Sequence, residues 1–550
     1  MSTSGYWQRF SRQRLSRRRA LAAGAAGLGA AALGLAGCGG DKDEEGKTPV
    51  AGTPVSETPK TGGVSRQGGT TPVLKIDPHT ETQAGLAFLP YIYGYLAHYV
   101  QPPEGAPQTI WDHATALEQP DETVFNFKMR PGVRFQDVPP VSGREVTVED
   151  VIYSFDRIVE VGPEPFWKEY VANKSAPDPS TFRLELSSVY AYTMEDVGGV
   201  RCAIVPREAV EAWGNLEQNG IGSGPFGVKS FSRGDSLELA RNPNYYVAGI
   251  PYLDGISYLT IADDASVRAA FRAKQLDTYA PPSKIIADEV VGYGGDVVMI
   301  REPNLMIYKV DVNELSRQEL RDIRVREAID KALDRDTMIE KLTFGEGNYT
   351  GPVSWGLSFW SLPQEELRAF YKRDVTKAKQ LLEAAGVSDL SLELKFNSAQ
   401  TFIADIGAMV KEHLAEVGIN VTLVPQEVGT YLADRSNVNY QLGCGGGLPY
   451  PSERYPLQFN HTYNWTREAP PIIEEDPAVD AMLDKILTTP DVDERQKLAL
   501  EASRAILNRH GPFLYLFAPY AYTARWSYLK GYENVPSVMT GITYTMWLDK

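Results

Sequence analysis

The chain of 550 residues contains only three cysteines, Cys38, Cys202 and Cys444, and six histidines, with no paired spacing that would hold a metal. This excludes a recognisable zinc site and a disulfide framework that staples the fold. Cys202 and Cys444 fall in different parts of the body, and the reading adopted is two free thiols. No Gly-x-Ser-x-Gly elbow and no His-Glu-x-x-His pair occurs, which argues against hydrolase chemistry of either kind. Beyond residues 20–37 there is no long apolar run, so nothing else is expected to span a bilayer. No acidic residue precedes Asp41, whereas Arg9, Arg12, Arg14, Arg17, Arg18 and Arg19 all do.

That one-sided start is informative. A positive head, an apolar middle of Ala, Gly and Leu, and a small-residue exit make an export signal over residues 1–37. Ser16-Arg17-Arg18-x-x-Leu21 resembles the twin-arginine signal; Ala20 replaces its usual aromatic, and both export routes stay open. Leu35-Ala36-Gly37-Cys38 resembles the lipoprotein cleavage box. The resemblance implies that Cys38 is acylated and becomes the first mature residue, holding the body at a membrane surface. Residues 38–63, rich in Gly, Pro and charge and free of aromatics, read as a disordered tether.

Removing residues 1–37 takes six arginines and no acid, so the net charge of −16 becomes −22. A nucleic-acid partner needs a basic footprint and is excluded on this ground. The remaining length suggests at least two lobes. "DVTKAKQLLEAA" (374–385) has helical spacing with Asp374 as N-cap and Gly386 as stop. "LSLELKF" (390–396) alternates as a strand; a helix from about Phe402 to Val417 and the strand "INVTLVP" follow. This is a βαβ unit with a parallel sheet, which makes the fold class α/β. Residues 321–342 are expected to form one amphipathic helix with Ile329, Leu333 and Ile339 on its buried side. Strands are expected near 124–135, and a helix over "VTVEDVIYSFDRIV" (146–159). Gly222-Ser-Gly224-Pro-Phe-Gly227 matches the dinucleotide fingerprint by letters. Pro225 removes an amide there and "FGVKSF" reads as strand, so a tight turn is expected instead.

In order and spacing, "KIDPHT" (75–80), "FKMRPGVRFQD" with "VTVEDVIYSFDRI" (127–158), "GSGPFGVKSF" with "LARNPNYY" (222–246), "VREAIDKALDRDTMI" (325–339), "AKQLLEAAGV" (378–387) and "AILNRHGPFLYLF" (505–517) resemble the peptide/nickel/opine class of bacterial solute-binding proteins, family 5. The resemblance implies a two-lobed fold of the periplasmic-binding-protein type II kind. Lobe one would be 64–303 with 516–550, including an accessory subdomain at about 95–220, and lobe two 304–515. The chain crossings would lie near Asn304–Tyr308 and Leu514–Phe517. The implied role is capture of an oligopeptide or similar organic solute between hinged lobes, for delivery to an ABC permease. An oligosaccharide ligand, or a surface-receptor partner in place of the permease, are the alternatives. The protein would be no enzyme, carry no cofactor, and act as a lipid-anchored monomer on the outer face of the cytoplasmic membrane.

Three stretches are candidate ligand contacts. The segment after the Asp-Pro element, Thr82, Gln83 and Ala84, corresponds to residues that lend edge-strand backbone to peptide in relatives. In "GPVSWGLSFW" (351–360), Trp355 and Phe359, with Trp360, are aromatic candidates for a cleft wall. In "LGCGGGLPYPSERYP" (442–456), Cys444, Gly445, Gly446, Gly447 and Tyr450 are the candidates. Peptide-binding relatives carry a tryptophan and an amine-pairing aspartate in this loop; by alignment these fall at Gly446 and Pro449, where both are absent. Glu453 would substitute for the aspartate only if the loop is displaced. The three glycines leave space and bare backbone for a bulky ligand.

Overall fold

A computed structural model describes residues 58–81, 84–102, 104–163, 165–447, 450, 452–462, 472–532 and 544–550. The chain divides into two units, residues 1–60 and 61–550. Every helix and strand of the described residues belongs to the second unit. Cys38, Thr82, Gln83 and Pro449 lie outside the described residues. The last tether residues are pinned to the body. Gly62 N–H donates to the Tyr252 carbonyl (2.8 Å) and Gly63 N–H to the Asp254 carboxylate (2.9 Å).

The first half runs β1 (Val64–Gly69), β2 (Ala114–Asp121), β3 (Val124–Met129), α1 (Val148–Val161), β4 (Val171–Asp178), β5 (Thr181–Leu186), β6 (Phe226–Ser232), β7 (Ser236–Arg241), β8 (Gly255–Thr260), β9 (Thr278–Tyr279) and β10 (Val297–Pro303). Two four-stranded sheets form, in the orders β1-β8-β7-β6 and β2-β3-β5-β4. Helix α1 starts on a capping box, Thr147 with Asp150. Its Phe155 packs against Phe182 of β5 and stacks on Trp167 (4.2 Å). Its Arg157 grips buried Asp77 of the Asp-Pro element (2.8 Å), tying that element to the accessory region.

The glycines of the fingerprint-like stretch serve a close approach. Gly224 N–H donates to the Ile92 carbonyl (3.0 Å), and a Cβ on Gly224 would lie 2.6 Å from the carbonyl carbon of Ile92. Strand β6 follows at once, with no helix opening on the turn.

The second half adds β11 (Tyr308–Val312), α2 (Ile323–Ala332), α3 (Arg335–Thr343), α4 (Val375–Ala384), β12 (Leu390–Asn397), α5 (Thr401–Ala415), β13 (Ile419–Gln426), α6 (Val428–Ser436), β14 (Leu442–Gly446), α7 (Arg454–Gln458), α8 (Val492–Asn508) and β15 (Phe513–Trp526). The expected βαβ unit is present: β12 and β13 pair in parallel from Leu390↔Ile419 to Asn397↔Gln426. Asp374 caps α4, accepting from the Lys377 amide (2.8 Å).

The single helix expected over 321–342 is two. Leu333 is extended and fully buried, and Asp334 accepts from the Thr337 amide (2.9 Å) to start α3. A capping carboxylate inside the periodic pattern satisfied a new set of end amides and broke the helix. Ile329 and Leu333 enter the core, and Ile339 is partly buried against it.

A larger mixed sheet runs β9-β15-β11-β14-β12-β13, with β10 and the short pair Gly347–Asn348 also on β15. Strand β15 pairs with β11 up to Phe517 and with β10 from Tyr520. Between them the Asn304 amide donates to the Pro519 carbonyl (3.1 Å). Leu392, Leu394, Phe396, Ile406, Val410, Val310 and Leu442 are among the residues of the second-half core. Cys202 and Cys444 are both buried thiols, neither of them in a disulfide.

Candidate functional site: a cavity with a cationic wall

Strand period decides what faces the cavity. On β11, Val310 points into the core, so Lys309 and Asp311 point to the other face. The partner strand β14 sets Gly445 opposite Lys309 and Gly446 opposite Tyr308. A cavity of about 550 Å³ opens on that face. Its described wall lies wholly within residues 305–515. Leu305, Ile307, Leu357, Val428, Leu432 and Phe513 are among its apolar lining, and Asn397, Gln400 and Ser354 among its neutral polar groups.

The charged groups are Lys309 and Arg435. Lys309 is largely buried and its ammonium lies over the Phe513 ring, 3.7 Å from the centroid. Arg435, near the end of α6, reaches Asp311 (3.1 Å) and donates to the Tyr431 hydroxyl (3.3 Å). The Tyr431 hydroxyl donates to the Cys444 carbonyl (3.2 Å), which fastens α6 against β14. Asp311 is ion-paired to both Lys309 and Arg435 and is almost wholly buried. Burial lowers the Lys309 ammonium to about 8, although Asp311 opposes the shift. Burial alone would raise the Asp311 carboxyl; Arg435 and Lys309 outweigh it and hold it low.

The end of β14 is glycine because neighbouring side chains pass close to it. A Cβ on Gly445 would stand 3.0 Å from the Tyr431 hydroxyl, and one on Gly446 the same distance from the Met306 sulfur. Gly447 N–H donates to the Ile307 carbonyl (2.7 Å), extending the pairing past β14. Tyr450 closes the far side, packed against Tyr455 and Phe459. Beyond it the chain is held by a buried network. The Tyr192 hydroxyl donates to Glu453 (2.8 Å), which pairs with Arg495 (3.2 Å). Ser452 donates to Glu195 (2.9 Å), and Arg454 pairs with Asp196 (3.0 Å) and Glu195 (3.5 Å).

No nucleophile–base pair stands on this wall. Among the described residues no group of three or more His, Cys, Asp or Glu side chains is placed to hold a metal ion, and no helix among them is long and apolar enough to cross a membrane. A cavity lined in this way offers an organic solute apolar contact and two cationic groups. The family model "Bacterial extracellular solute-binding proteins, family 5 Middle" matches residues 111–466. The chain belongs to this family.

Members of family 5 are substrate-binding proteins and not enzymes. The chain is 25% identical over 429 residues to the probable D,D-dipeptide-binding periplasmic protein DdpA of Escherichia coli, covering 76% of this chain and 80% of that one. It is 24% identical over 425 residues to the periplasmic oligopeptide-binding protein OppA of Salmonella typhimurium, covering 72% and 76%. Among solved structures, the periplasmic binding protein DppA of Helicobacter pylori, in complex with the peptide STSA, superposes with a TM-score of 0.72 at 21% identity, covering 89% of this chain and 99% of that one. The fold is therefore the two-lobed periplasmic-binding-protein fold, α/β in class.

Within this family 5 protein the candidate residues separate. Gly445, Gly446, Gly447 and Tyr450 stand on the cavity wall. Cys444 does not: strand alternation turns its side chain into the core beside Val310, and burial raises its thiol. Trp355 is half-buried and off the wall; its indole N–H donates to the Ala518 carbonyl (3.0 Å) and its ring meets Tyr520 edge-on. Its neighbours Ser354 and Leu357 are on the wall instead. Phe359 packs edge-on to Trp360, which is fully buried and donates to the Gln101 side chain (2.9 Å). Ala84 opens a short 3-10 turn, Ala84–Ala87, away from the wall. Glu453 is not available as a substitute carboxylate, because Arg495 and Tyr192 hold it in the interior.

Sequence reasoning missed Lys309, Asp311, Tyr431 and Arg435. One signal was there to read. "YKVDV" places two charged residues at alternate positions of a strand that is otherwise buried, which marks a polar face.

Proposed function

We propose that the protein captures a peptide-like organic solute in the cavity under β14 and presents it to the membrane permease of an ABC importer. Gly445, Gly446, Gly447 and Tyr450 form part of the contact surface. One observation carries the reading: a roomy, largely apolar cavity with a few polar groups, bordered by bare glycine backbone at the end of a strand. Cavities of a few hundred cubic ångströms with a few placed polar groups are typical of small-ligand sites. Bare strand backbone suits main-chain pairing with an extended guest. The names of relatives that bind dipeptides and oligopeptides support the same class.

In this proposal lobe one comprises 64–303 with 516–550, and lobe two 304–515. The hinge lies where β15 changes partner, beside Asn304–Tyr308. Cys38, acylated after export by the twin-arginine or the general route, tethers the protein to the outer face of the membrane. The protein acts as a monomer. A thermal-shift screen of short peptides against oligosaccharides tests the ligand class, because a solute that binds only the folded protein raises its melting temperature. Peptides are expected to raise it by several degrees; stabilisation by sugars alone would overturn the reading.

A further inference from the structure

The charges around the cavity do not balance. Lys309 and Arg435 face it, and no acid stands on its described wall. Asp311 lies behind the pair and is shared between them. The other acids near these elements are committed elsewhere. Asp434, beside Arg435 in sequence, pairs with Lys395 (2.8 Å), and Glu427 accepts the first amides of α6. Glu453 is held by Arg495. Among the described residues the wall therefore carries one more positive charge than Asp311 offsets, shared between a largely buried lysine and a guanidinium held in place by Tyr431. An unmatched buried charge is costly, and an incoming opposite charge relieves it. A guanidinium beside an ammonium suits a carboxylate, whose two oxygens take charge-assisted hydrogen bonds from both. An incoming ammonium would be the third cation around one shared carboxylate.

We infer that the cavity selects its guest by an anion: a carboxylate of the solute docks between Lys309 of β11 and Arg435 of α6. The inference rests on the peptide-like reading for the body of the guest, and it adds which end is recognised. A free α-amine contributes nothing to affinity here. The apolar wall of Leu305, Ile307, Leu357 and Phe513 takes the rest of the ligand.

A mixed tripeptide library in three end-group forms tests this by calorimetry on the purified protein: free at both ends, N-acetylated acids, and C-terminal amides. N-acetylated acids are expected to bind as tightly as free peptides, and amides roughly 10- to 100-fold more weakly, as for hydrogen bonds to charged groups. Lys309→Met and Arg435→Gln should each erase most of the acid-over-amide preference; Arg435→Lys should retain part of it. The wild-type end-group comparison stands even if a variant fails to fold. Amides that match acids, or acetylation that abolishes binding, would overturn the inference. If no tripeptide form binds, the peptide reading fails, and 4-phenylbutyrate against 4-phenylbutyramide decides the anion site alone. Acid-specific binding that Lys309→Met removes sustains it, and equal or absent binding ends it.

Discussion

At the scale of single residues, a side chain's meaning came from what it meets in space. Gly222 and Gly224 carry the letters of a phosphate-binding turn, yet they are glycines because the Ile92–Tyr93 backbone passes against them. A Cβ on Gly222 would collide with the Ile92 carbonyl oxygen and stand 2.7 Å from the Tyr93 Cα. Neither neighbour is the end of a flexible side chain, so backbone must shift. Gly222→Ala is therefore expected to cost about 1–3 kcal/mol, the range for overpacking. Urea unfolding measures it, and an unchanged midpoint would remove the close approach as the reason for the glycine. Trp355 teaches the converse. Its aromatic character suggested a ligand face; the indole N–H donates to the Ala518 carbonyl and the residue stands off the described cavity wall. An aromatic residue in sequence does not declare whether its ring meets solute or strand.

At the scale of elements, periodicity was a good guide wherever a segment has one buried face. The unit β12–α5–β13 was legible to within a residue or two, because alternating and helical patterns are local properties. The break between α2 and α3 was not, although Asp334 was visible; whether a half-buried aspartate caps a helix or lies along it depends on the surrounding core.

The short helix Thr193–Val197 brings a second kind of information. Its Glu195 meets Ser452 and Arg454, and burial pushes its carboxyl up to about 7 from an ordinary 4.5. A carboxyl whose folded value is raised stabilises the fold fully below about pH 4.5. That contribution is lost as the pH climbs through about 7. Glu195→Gln removes the titration. The variant is expected to melt higher than the parent at pH 8, with the difference shrinking towards pH 5. A difference that stays constant from pH 5 to 8 would show that Glu195 does not titrate in this range.

At the scale of the molecule, β15 is the element that belongs to both halves, pairing with β11 at one end and with β9 and β10 at the other. Away from that strand, contacts between the first and second halves include Arg454 with Asp196 and Glu195, Glu453 with Tyr192, and Trp360 with Gln101. Removing one partner of a buried ion pair leaves an uncompensated charge, typically at a cost of 3–5 kcal/mol. Arg454→Met is therefore expected to lower stability by about 3 kcal/mol or more. It should also raise the ligand-free radius of gyration in small-angle scattering, as the two halves part. A lower melting temperature with an unchanged radius would assign the network to stability alone and take it out of any hinge motion.

Sequence by itself determined the local elements, the absence of visible catalytic motifs and the family, because patterning, turn residues and motif order are written along the chain. It also located the glycine run at the cavity. Tertiary structure alone decided which charges meet. Lys309, Asp311 and Arg435 come from β11 and α6, far apart in sequence, and β14 with Tyr431 holds them together. Coulombic interaction depends on distance in space and on burial, and neither quantity can be read from position in the chain.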